Sequence, residues 1–233
     1  MAGRWYLAGG GGAEDSRLLD EAFATEIDAG PLWYWPVAMD PAERDYAGCL
    51  DWLNGVFAPL GVTGIEVWDG TDGDGNPPSR FAGFRGVYIG GGNTYRLLSA
   101  VRRHGLEEPL RRFVADGGAV YGGSAGAALL GADIDTVSHL DEDPYGTDDT
   151  GGLDVACGHG VFVHHEQRET PRVQDWARRN GRPVVALHER SGVIVEEGRA
   201  TVVGFEPVWL VDETGSGVRT LEPGRTVPLG PES

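Results

Sequence analysis

Ala119-Val120-Tyr121-Gly122-Gly123-Ser124-Ala125-Gly126-Ala127-Ala128-Leu129-Leu130 passes from a short apolar run, through a turn of small residues, into a helix-forming stretch. The apolar run reads as a buried strand and the residues after Ser124 as the start of a helix. Gly122-x-Ser124-x-Gly126 fits a nucleophile elbow, in which small neighbours relieve crowding where the strand reverses and leave the hydroxyl exposed on a sharp turn. A plain Gly-Ser-Ala-Gly connection has the same composition, but a strand before it and a helix after it favour the elbow.

The same order of strand, glycine turn and helix stands upstream. Gly86-Val87-Tyr88-Ile89 reads as a buried strand and Gly90-Gly91-Gly92-Asn93-Thr94 as the turn. Leu97, Leu98 and Val101 form the apolar face of the helix that follows, and residues 106–116 form another. Towards the N-terminus, Trp5-Tyr6-Leu7-Ala8 reads as a first strand closed by the glycines at 9–12. Residues 16–29 read as a helix capped by Ser16, residues 32–39 as a strand interrupted by Pro36, 42–60 as a helix and 63–68 as a strand. Beyond the elbow, strands are expected at 161–163, 183–187, 193–196 and 201–203, the last two joined as a hairpin, with a helix near 172–179. This alternation predicts an α/β fold, a mostly parallel sheet flanked by helices, in one domain over residues 1–233.

Composition narrows the chemistry by exclusion. Acidic residues number 36 against 19 basic ones, and a formal charge of −17 repels polyanions. Neither nucleic acid nor membrane is expected as a partner. Every basic residue is Arg, so a Schiff-base lysine and a phosphate-loop lysine are both excluded. Cys49 and Cys157 are too few for a disulfide framework and lack zinc-site spacing, and they read as reduced thiols. Asp69, Asp72 and Asp74 alternate as in a calcium loop, but the distal bidentate Glu is missing and a solvated turn is the better reading. No metal and no cofactor is expected. Residues 133–152 are acidic and turn-rich, and read as a flexible segment able to lie over a site. Without a signal-peptide pattern or a membrane-length apolar run, a cytoplasmic location is expected.

A serine hydroxyl attacks only when a base takes its proton and N–H donors stabilise the oxyanion formed. The N–H of Ala125 and those of the Gly91-Gly92 loop, at the same C-terminal edge of the sheet, are the candidate donors. His164 and His165 directly follow the strand at 161–163. Strand alternation puts them on opposite sides, so one of the two faces the elbow. The acid that holds the imidazole is Glu189, at the end of the next strand, with Asp141 and Asp143 as alternatives.

Tyr88-Ile89-Gly90-Gly91-Gly92-Asn93-Thr94-Tyr95-Arg96-Leu97-Leu98, followed by Gly122-Gly123-Ser124-Ala125-Gly126-Ala127, resembles the peptidase E (aspartyl dipeptidase) and cyanophycinase family. The likeness runs from the first strand to Val203. It implies a fold similar to class I glutamine amidotransferases, with serine as the nucleophile in place of cysteine. It also implies a serine-type dipeptidase acting on small peptides, with a preference for N-terminal Asp or, alternatively, cyanophycinase-like or other acyl-hydrolase activity. A catalytically inactive small-molecule binding protein is the rival reading on the same fold. The resemblance carries the roles as follows: Ser124 as nucleophile, His165 as the better-aligned base with His164 as alternative, Glu189 as the acid with Asp141 as alternative, and Gly91, Gly92 and Ala125 around the oxyanion. Asn93, Arg168 and Arg172 are the expected substrate contacts, the arginines as bidentate partners of a carboxylate. A small peptide is the expected partner, with a homodimer left open.

Overall fold

The computed structural model describes residues 3–71 and 77–230, so Asp72 and Asp74 of the acidic turn lie outside the described residues. Strands β1 (Trp5–Ala8), β2 (Leu32–Trp35), β3 (Ile65–Val67), β4 (Gly86–Ile89) and β5 (Ala119–Gly123) pair in parallel in the order β1-β5-β4-β2-β3. A second, smaller sheet contains β6 (Gly160–Phe162), β7 (Val184–Leu187), β10 (Val208–Val211) and β11 (Val218–Leu221), in the order β11-β10-β7-β6. The antiparallel strands β8 (Ser191–Glu196), β9 (Arg199–Gly204) and β12 (Thr226–Pro228) extend the first sheet beyond β1 to eight strands. Helices α1 (Ala13–Glu26), α2 (Tyr46–Phe57), α3 (Thr94–Arg103), α4 (Glu107–Ala115), α5 (Ala125–Leu130) and α6 (Thr170–Asn180) complete the α/β fold.

The central strands are buried on both faces, which is why they read as continuous apolar runs. In β2, Leu32 and Tyr34 join one core with Phe23 of α1 and Leu53 and Phe57 of α2. Trp33 and Trp35 join the other with Val87, Ile89 and Leu97. Burial of each such large side chain stabilises the fold by about 1.5–3 kcal/mol. On the α1–α2 face, Tyr34, Tyr88, Tyr121 and Tyr6 stand side by side in register across four adjacent strands. Their rings pack at 4.7 to 6.4 Å between centroids.

Several boundaries differ from those expected, each for a local reason. β2 stops at Trp35 because Pro36 has no N–H to donate to the ladder. α1 starts at Ala13, three residues early: Asp15 accepts the Gly12 N–H at 2.9 Å, while Ser16 donates its hydroxyl to Asp20 at 2.7 Å. Strands β10, β11 and β12 follow the last expected strand. The acidic segment at 133–152 is tied down: Ile134, Thr136 and Val137 are buried, Asp141 accepts the Thr94 N–H at 2.7 Å, and Asn93 donates to the Glu142 carbonyl at 2.7 Å. Among the described residues, no helix is long and apolar enough to cross a membrane.

Candidate active site

Ser124 sits between β5 and α5 with φ 51° and ψ −108°, a conformation that costs a non-glycine residue about 1–3 kcal/mol. Neighbouring backbone holds it there: its N–H donates to Ala8 at 3.2 Å and its carbonyl accepts from Ala128 at 3.0 Å. Both flanking glycines are sterically required. A Cβ on Gly122 would lie 2.5 Å from the Gly126 carbonyl carbon, and one on Gly126 would run into the Ile89 carbonyl. Gly91 lies across from the Ser124 side chain, where a Cβ would stand 3.4 Å from the Ser124 Cβ. The N–H groups of Gly90 and Asn93 are spent on the Trp35 and Ala38 carbonyls, which brackets the Gly91-Gly92 backbone at the site. Gly92, at φ +134°, packs on Ala38 too closely for any side chain.

The histidine against Ser124 is His164, not His165. Ser124 Oγ lies 2.7 Å from His164 Nε2, and His164 Nδ1 lies 2.8 Å from Glu189 Oε1. Strand alternation fails as a guide here because β6 ends at Phe162 and His164 adopts φ 53°, turning its side chain out of the alternating pattern. Its N–H donates to Gly9 at 2.8 Å, and its ring fills the space where a Cβ on Gly10 would stand. The glycine loop after β1 is thus the seat of the imidazole, a role that glycine clustering alone does not announce. His165 points into the second sheet instead. It is 2 % exposed, its Nε2 is 3.3 Å from the Thr170 hydroxyl, its ring lies edge-on 4.8 Å from Trp209, and burial lowers its pKa.

Glu189 reaches His164 because β6 and β7 run parallel, so both residues leave the same end of the smaller sheet. With the Nδ1 proton donated to Glu189, Nε2 is free to accept the Ser124 proton. Of the alternative acids, Asp141 is committed to the Thr94 N–H, and Asp143 accepts the N–H groups of Tyr145 and Thr147. The expected substrate contacts are largely engaged elsewhere. Asn93 caps α3 through the Arg96 N–H at 2.9 Å while its amide nitrogen binds Glu142. Arg168 pairs with Glu166 on the surface, and Arg172 is an exposed residue of α6 close to His139; neither arginine lines a cavity touching Ser124.

Among the described residues, two cavities flank Ser124. One, of about 300 Å³, lies between Thr94, Ala125, Val137, Leu140, Asp141 and His164. The other, of about 270 Å³, runs from Ser124 and His164 to Tyr34, Tyr88 and Tyr121, with Arg44 and Trp52 also on its lining. Ser16 belongs to this lining and donates to the carboxylate of Asp20, which is 2 % exposed. Burial pushes the Asp20 pKa up to about 6, against the opposing hydrogen bond from Ser16. The Tyr121 hydroxyl is close enough to temper that rise but meets no partner in hydrogen-bond geometry. Burial likewise raises the pKa values of Tyr34 and Tyr88. Among the described residues, no three His, Cys, Asp or Glu side chains are grouped to hold a metal ion.

Comparison with known proteins places this geometry in context. The profile of peptidase family S51 matches residues 37–203. Peptidase E of Streptomyces coelicolor is 31% identical over 179 residues, covering 74% of this chain and 72% of the relative. The pyridoxal 5'-phosphate synthase subunit PdxT of an Arthrobacter species is 34% identical over 111 residues, but the match covers only 47% of this chain and 42% of that protein. Among solved structures, a peptidase from an acI-B1 actinobacterium superposes with a TM-score of 0.70 at 18% identity, over 98% of this chain and 97% of that one.

Proposed function

This chain belongs to peptidase family S51, and from that premise we propose that it is a serine peptidase of small peptides in which Ser124, His164 and Glu189 act as a triad. The observation that carries the reading is the unbroken pair of short contacts from Ser124 Oγ to His164 Nε2, 2.7 Å, and from His164 Nδ1 to Glu189 Oε1, 2.8 Å. In the first half of the reaction, Oγ forms a bond to the scissile carbonyl carbon as its proton passes to Nε2, and the carbonyl π electrons move onto oxygen. The backbone N–H groups of Ala125 and the Gly91-Gly92 segment are the donors for that oxyanion. Collapse breaks the C–N bond as Nε2–H protonates the leaving amine, leaving an acyl-serine. Water then attacks the ester, its proton going to Nε2 and on to Oγ as the acid departs. Glu189 holds the imidazole in the tautomer with Nδ1 protonated and balances the imidazolium that forms twice per turnover.

A preference for N-terminal aspartate finds no support in the expected arginines, since Arg168 and Arg172 stand away from both cavities at Ser124. Ser124→Ala is expected to lower peptide hydrolysis by about 10⁴-fold or more and to abolish labelling by a fluorophosphonate. Equal labelling of the variant and the parent would refute the serine mechanism and favour an inactive binding protein.

A further inference from the structure

We infer that the 270 Å³ cavity beside Ser124 selects substrates by a bulky aromatic side chain next to the scissile bond. The inference rests on the peptidase reading above for its placement next to a scissile bond, but the recognition itself follows from the cavity walls. Tyr34, Tyr88 and Tyr121 come from three neighbouring strands in register and close the inner end of the cavity, each no more than 6% exposed. The Tyr88 and Tyr121 rings are stacked at 4.7 Å, and Tyr34 meets Tyr88 edge-on at 5.7 Å. Trp52, 37% exposed, adds a fourth ring, and Met39 supplies an adaptable apolar side chain. A substrate ring entering this space meets the Trp52 ring and the Met39 side chain and gains apolar burial.

A carboxylate does poorly in the same place. A buried charge needs a buried partner, and among the described residues the arginine on the lining, Arg44, is exposed and hydrogen-bonded to the Gly48 carbonyl at 3.1 Å. Behind Ser16 stands the Asp20 carboxylate, whose negative charge would repel a second one.

The test is a set of otherwise identical peptides carrying Tyr, Phe, Ala, Asp or Arg on either side of the scissile bond. At one of the two positions, kcat/KM for Tyr and Phe is expected to exceed that for Ala and Asp by roughly 10- to 100-fold. Trp52→Ala should narrow the Phe-over-Ala ratio at least about fivefold. Calorimetric binding of the same peptides to Ser124→Ala gives a readout independent of turnover. An aromatic preference in binding without hydrolysis by the parent keeps the pocket assignment and removes the peptidase reading. Side chains equal within about threefold in both assays overturn the pocket assignment. So does a preference for Asp, and loss of that preference in Arg44→Gln would transfer recognition to the guanidinium.

Discussion

Ser124 is held by residues within a few positions of it and by the strands on either side, whereas His164 and Glu189 arrive from the ends of two strands in the other sheet. The surroundings of the elbow are closed: Ala125 is 1 % exposed, and Gly122 and Gly126 admit no Cβ. The side chains of the other two are open, 34 % exposed at His164 and 50 % at Glu189. Ser124 is thus positioned by local covalent geometry and steric closure. His164 is positioned by its own left-handed backbone, one hydrogen bond to Gly9 and a glycine that leaves room for its ring. Precision in the second case comes from distant segments, so it is the more easily lost.

The sharpest way to break this comparison is at the paired histidines. His164→Ala is expected to cost about 10⁴-fold in kcat, with little further loss when combined with Ser124→Ala, because the two residues act as a unit. His165→Asn should retain kcat within about fivefold while lowering stability by about 1–2 kcal/mol, as a buried ring against Trp209 is lost. Urea titrations and peptide kinetics on both variants test this, and the opposite pattern would return the base to His165.

Gly10→Ala probes the seat of the His164 imidazole without replacing any member of the proposed triad. A methyl there collides with the His164 ring and strains a residue at φ +122°, so kcat is expected to fall about 10²-fold through displacement of the base. Fluorophosphonate labelling should slow in parallel, and rates like those of the parent would show that the ring is held by something other than this loop.

The last effect concerns the pH dependence of stability, away from the catalytic contacts. Asp20 has a folded-state pKa raised to about 6, so the native protein binds its proton more tightly than the unfolded chain does. Its contribution is full below the unfolded value and is lost as pH rises through about 6, amounting to about 2–3 kcal/mol. Asp20→Asn should flatten unfolding free energy between pH 4 and pH 7, and an unchanged slope in urea titrations would exclude this carboxyl as the source.

What could be read from the chain tracks this same division. The elbow, β4, β5 and the helices after them were legible because strand, glycine turn and helix are contiguous and each carries its own periodicity. Glu189 was legible as a residue at a strand end. The resemblance favoured His165, and strand alternation left the two histidines open; alternation presumes an extended backbone, and the left-handed turn that brings His164 to Ser124 has no sequence mark when the residue is not glycine. Tyr34, Tyr88 and Tyr121 looked like ordinary strand residues, and only cross-strand register makes them neighbours. Asn93 looked available for substrate, yet both ends of its amide serve the fold.

From the chain alone came the α/β class, the elbow at Ser124 and the glycine loop that faces it, since these depend on local sterics and hydrophobic period. Which histidine meets Ser124, its seat at Gly10 and the row of tyrosines beside the elbow belong to the tertiary structure. They depend on which strand ends and which side-chain faces meet when the two sheets pack, and residues tens of positions apart carry no local trace of that meeting.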